Sequence, residues 1–166
     1  MTLESNDTTQ PAKSGEPPTL YEWAGGTGAF VRLCDAFYRL VLADDLLAPL
    51  FARMDPDHAR HVAIWLVEVF GGPATYTAEH GGYPHMLSRH VGKAITEPQR
   101  RRWVNLMMDA ADEVGLPADP EFRAAFAGYF EWGTRLAVLN SQPDADPVRQ
   151  APVPHWGWGV APPYTG

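Results

Sequence analysis

Two histidines stand five residues apart in the stretch GYPHMLSRHV, residues 82–91: His85 and His90. Two more, His58 and His61, stand three apart in HARH. Imidazoles at such spacings point first to metal ligation. His58 and His61 fit one helix face, and with His85 or His90 they would make a three-histidine zinc site. Against zinc, an i, i+3 histidine pair is also common on solvated helix faces. On one helix His85 and His90 diverge by about 140°, so they do not serve one metal together.

The residues around His90 suggest a different metal chemistry. Leu87 and Met86 precede it by three and four positions and give it an apolar collar. A single neutral imidazole on a dry face suits an axial haem ligand. His85, directly after GYP, reads as a solvated or turn-capping residue. A haem site also needs an apolar slot and polar groups opposite the ligand. Tyr38, next to the core position Phe37, and Trp103, heading an apolar stripe, are candidates. From periodicity alone they read equally as core aromatics with polar atoms at the edge.

The elements that must position these residues are helical. Phe30, Leu33, Phe37, Leu40 and Val41 recur at i, i+3, i+4, i+7. Cys34 shares that face and reads as a small buried hydrophobe. Asp55 and Pro56 suit the start of a helix whose stripe is Val62, Trp65, Leu66, Val69 and Phe70. Gly71-Gly72-Pro73 stops it. Thr96 with Gln99 forms a capping-box pattern ahead of Trp103, Leu106, Met107, Ala110 and Val114. Asp119-Pro120 opens a last helix. The class is all-α, with about four main helices and a short one near His90. Residues 71–96 read as a long, mostly irregular segment of the kind that often carries function.

Both ends differ in character. Residues 1–18 read as a disordered arm. Residues 141–166 are Pro-rich and non-helical, yet carry Trp156, Trp158 and Tyr164. That tail either packs back on the protein or serves as a partner-binding element. The net charge of −7 argues against nucleic acid and anionic membranes as partners. The longest apolar run, VAIWLVEVF, is interrupted by Glu68 and too short to span a bilayer. One cysteine excludes an intrachain disulfide, which fits the cytoplasm. The QRRRW cluster reads as a solvated helix turn.

Taken in order, the glycine pairs, AFYRLVLADDLLAPLF, FGGPATYT, SRHV and EPQRRRWVNLMM resemble a truncated haemoglobin of the second group, over about residues 20–140. The resemblance implies a two-over-two helical sandwich in residues 19–140 and haem b as cofactor. It implies His90 as the proximal iron ligand, Tyr38 as the distal tyrosine and Phe51 as the aromatic at the interhelical turn. Trp103 is the tryptophan that marks the group. His58 falls at the distal gate, with Val62 one turn further in. A one-residue length change between Phe51 and Gly71 leaves His61 as its alternative. If His58 faces the iron, His61 or Arg89 meets a propionate at the haem edge. The family pattern has no counterpart for the tail and needs no arm as long as this one.

The activity implied is dioxygen binding at ferrous haem, with Tyr38, Trp103 and His58 as donors to the ligand. Nitric oxide oxidation and peroxide use stand beside it as alternatives, as does a haem-based sensor using the tail. Slow release would suit such reactivity better than oxygen transport. The expected partners are dioxygen, nitric oxide or peroxide, a reductase of unknown identity and, as an assembly, a second copy of the chain.

Overall fold

The computed structural model describes residues 15–163. It is all-helical among those residues: α1 (Leu20–Ala24), α2 (Thr27–Leu42), α3 (His58–Val69), α4 (Thr75–Glu79), α5 (Gly82–His90), α6 (Glu97–Glu113) and α7 (Pro120–Ser141), with a 3₁₀ turn at Ala48–Phe51. The pair α2–α3 lies against the pair α6–α7, with α5 packed on α7, which is the two-over-two arrangement. None of these helices is long and apolar enough to cross a membrane.

The core follows the predicted stripes. Phe30, Leu33, Cys34, Phe37 and Val41 of α2 are fully buried. They meet Val69 and Phe70 at the end of α3, Met107 and Ala110 of α6, and Phe126 and Phe130 of α7. Burial pushes the Cys34 thiol far above its ordinary range, which keeps it an inert hydrophobe. The capping box at Thr96 and Gln99 and the Asp119 cap on Phe122 are both formed.

The helix ends show where local signals were outweighed. α3 begins at His58 rather than at Pro56, because Asp55 closes a separate turn: its carboxylate accepts from the Asp57 amide and its carbonyl from the His58 amide. At the other end Gly71 has φ +97°, and a Cβ on Gly72 would lie 2.6 Å from Val67 and 2.8 Å from Tyr21. Only glycine fits that approach. Residues 71–96 hold α4 and α5 and are not mostly irregular. The carboxylate of Glu68, 3% exposed, organises the first of these by accepting from the Thr77 amide and hydroxyl. Glu68 therefore caps α4 across the glycine turn.

The QRRRW cluster is solvated in part: Arg101 and Arg102 are exposed, and Arg100 is the exception. Arg100 is buried and bridges Glu97 and Glu131, and Arg102 pairs with the buried Asp44. Residues 1–14 of the expected arm and Tyr164 of the tail lie outside the described residues. Residue 18 is engaged, since the Trp158 indole donates to the Pro18 carbonyl at 2.7 Å. The tail is irregular and packed on its own chain: Val153 is buried, and the Trp156 amide donates to Val69. Trp156 and Trp158 are half-buried against the core.

Asp44 ties the end of α2 to α6 and accepts from the Leu46 and Leu47 amides. Hydrogen bonding from Arg102 holds its carboxyl below the ordinary value. A lowered folded-state pKa contributes stability above the unfolded carboxylate value and loses it as pH falls through the folded one. Asp44→Asn should lower stability near pH 7 by about 1–3 kcal/mol, read from urea unfolding. The gap to the parent should close in acid; a gap unchanged down to pH 3 would contradict this role.

Candidate functional site

A cavity of about 260 Å³ opens between α2, α3, α5, α6 and α7. All ten predicted site residues line it: Tyr38, Phe51, His58, His61 and Val62 on one side of the chain order, and Met86, Leu87, Arg89, His90 and Trp103 on the other. The zinc alternative fails, because no three His, Cys, Asp or Glu side chains converge on a metal-binding geometry among the described residues.

His90 is the last residue of α5. Its place is fixed from behind by the linker that follows. The Ala94 amide donates to the Ser141 carbonyl and the Ile95 amide to the Ser141 hydroxyl, while the Gln142 side-chain amide donates to the Ile95 carbonyl. Ser141 is fully buried at the end of α7. Burial, helped by His58, pushes the His90 imidazole down to about 4. The ring is therefore neutral at physiological pH, the form in which it donates a lone pair to a metal.

The remaining polar groups gather on α2, α3 and α6. The Tyr38 hydroxyl and His58 Nε2 are 2.9 Å apart. Burial raises the Tyr38 phenol well above its ordinary value and lowers His58 below its own, so both stay neutral. Tyr38 stacks edge-on against Phe37, Phe51 and His58, with ring centres 4.9, 5.7 and 5.0 Å apart. Trp103 is wedged against Phe37 at 4.7 Å and Phe130 at 5.7 Å. Trp103 lines the cavity, and its indole N–H makes no hydrogen bond among the described residues.

His58 and His61 are separated by this geometry. His58 bonds Tyr38, whereas His61 sits beside His80, with ring centres 4.9 Å apart. Arg89 and Lys93 line the same cavity and make no salt bridge with a described carboxylate. His85 is not a turn residue: it lies inside α5, exposed, and lines the cavity. Trp65, Tyr76 and Tyr129 also form walls, and the sequence singled out none of them for the site. Trp65 sits in the α3 stripe one turn from His61, which was the available signal.

An apolar slot lined by the neutral imidazoles of His90 and His58, the neutral Tyr38 phenol and cations without a salt bridge fits a flat, largely apolar metallocycle that carries carboxylates. The arrangement fits haem.

The comparisons with known proteins agree. A family model described as bacterial-like globin matches residues 19–126. A group 2 truncated haemoglobin of Bacillus subtilis is 35% identical over 111 residues, 67% of this chain and 82% of its own length. The group II truncated haemoglobin of Bacillus anthracis superposes with a TM-score of 0.67 at 28% identity, covering 76% of this chain and 94% of that one. An oxygen-avid truncated haemoglobin structure from Bacillus subtilis gives 0.65 at 34% identity, covering 73% and 99%. The chain belongs to the bacterial-like globin family and, within it, to the group II truncated haemoglobins.

Proposed function

We propose that this protein holds dioxygen tightly at ferrous haem and uses that retention for redox chemistry, nitric oxide oxidation or peroxide reduction, rather than for carriage. The observation that carries the reading is that one cavity is lined by both Tyr38, whose hydroxyl meets His58, and Trp103, whose indole N–H has no partner among the described residues. When bound, haem supplies the ferrous iron at which a diatomic ligand is held. His90, at the end of α5, would hold that iron through its neutral imidazole. Arg89, Lys93 and His61, which line the same cavity, would hold the propionates.

Tyr38 and His58 share one hydrogen bond. If His58 Nε2 carries the proton and donates to the Tyr38 oxygen, the phenol proton is free to point into the cavity. His58 then acts through Tyr38 by setting the direction of that proton. Trp103 needs no such partner, because its N–H direction is fixed by the ring. A ligand that gathers negative charge meets both donors, each worth about 1.5–3 kcal/mol for a charged acceptor. The Bacillus subtilis relative is oxygen-avid, and this donor pair is a physical route to the same avidity here. A carrier must release its cargo, which this pair opposes. A cytoplasmic reductase and a second copy of the chain are the partners we expect.

Two sets of variants test the reading. His90→Ala should lose stable haem binding, read from the Soret band and from haem transfer to an acceptor globin, whereas His85→Ala should retain it. Retention of haem by His90→Ala would move the ligand elsewhere. Tyr38→Phe and Trp103→Phe should each raise the dioxygen off-rate by about tenfold or more, read by stopped-flow displacement with carbon monoxide. Off-rates unchanged in both variants would remove these residues from the account.

A further inference from the structure

The family match ends at residue 126, yet the chain continues through α7 and then back over the core. Residues 142–163 contain no helix, and part of that segment is held firmly. Val153 is 3% exposed. The Trp156 amide donates to the Val69 carbonyl at the end of α3, at 2.8 Å. The Trp156 indole lies over Gly128 of α7 and packs against Tyr129 and Trp132, both with ring centres 5.7 Å away. Pro154 lines the same cavity as Tyr38 and His90.

Tyr129 links this segment to the cavity. Its hydroxyl accepts from the Trp65 indole N–H at 2.7 Å, and Trp65 is a cavity wall. Burial holds the Tyr129 phenol in its neutral form. Along this seam α3 and α7 meet through long aromatic side chains, with Phe70 against Phe126, Tyr129 and Phe130. The tail crosses that seam, with a backbone bond to α3 and an indole on α7. The other tail tryptophan is different. Trp158 packs on Trp23 and Phe122 and bonds Pro18, and it does not line the cavity.

We propose that Pro154 and Trp156 are positioning residues of the haem cavity. Pro154 closes its α3–α7 side, and Trp156 clamps Tyr129 and through it Trp65. The tail thereby sets how readily small ligands enter and how firmly the cofactor is kept on that side. The ligand and cofactor part rests on the haem reading above; the clamp on Trp65 does not.

The test uses Trp156→Ala, Trp156→Phe and Trp158→Ala in the full chain. One readout is solvent exchange of the Trp65 indole proton by NMR, with and without haem. The other is carbon monoxide rebinding after flash photolysis of the haem-loaded protein. Trp156→Ala should speed both by about tenfold, because its aromatic contacts with Tyr129 and Trp132 no longer oppose local opening. Trp156→Phe should recover most of the loss. Trp158→Ala should lower Tm without moving either readout. Equal acceleration in Trp156→Ala and Trp158→Ala, or none in Trp156→Ala, overturns the proposal. If haem does not bind at all, the haem reading fails, and indole exchange still decides the clamp.

Discussion

The rest of the structure depends on holding apolar walls apart around a cavity of about 260 Å³. Protein interiors otherwise close-pack. A ligand that binds in this cavity stabilises the fold by mass action.

The props around the cavity are mostly polar and lie just outside it. Glu68 caps α4 and so places the Tyr76 wall. Ser141 and Gln142 hold the linker behind His90. Asp44 and Arg102 join the end of α2 to α6, the two helices that carry Tyr38 and Trp103. Each prop satisfies buried donors or acceptors that would otherwise be costly to leave unpaired. The apolar stripes form the core, and these bonds decide where its gap lies. Within the gap, burial keeps His90, His58 and Tyr38 neutral, so the chemistry offered is lone pairs and hydrogen-bond donors rather than fixed charge. Cations stand instead at Arg89 and Lys93.

Much of this was legible in the residues. The four main helices follow from 3.6-residue periodicity, and the Thr96 and Asp119 caps are local signals that the fold keeps. His90 stood out from its Leu87 and Met86 collar, and Tyr38 and Trp103 from the motifs around them. What was not legible depends on distant partners. Glu68 reads as a break in an apolar run, and only the return of the chain at Thr77 gives it a role. Arg100 reads as solvated until Glu131, on another helix, is placed beside it. α1 and α4 are each five residues long, too short for a periodic stripe. Pro154 and Trp156 reach the cavity only because the tail folds back across the α3–α7 seam.

The central claim is that this cavity is a haem site with His90 as its iron ligand. An absorption spectrum of the purified protein, titrated with haem in the ferric and dithionite-reduced forms, tests it directly. The account predicts a Soret band that saturates at one haem per chain and shifts on reduction and again on exposure to carbon monoxide. A protein that develops no Soret band with haem in excess would contradict it.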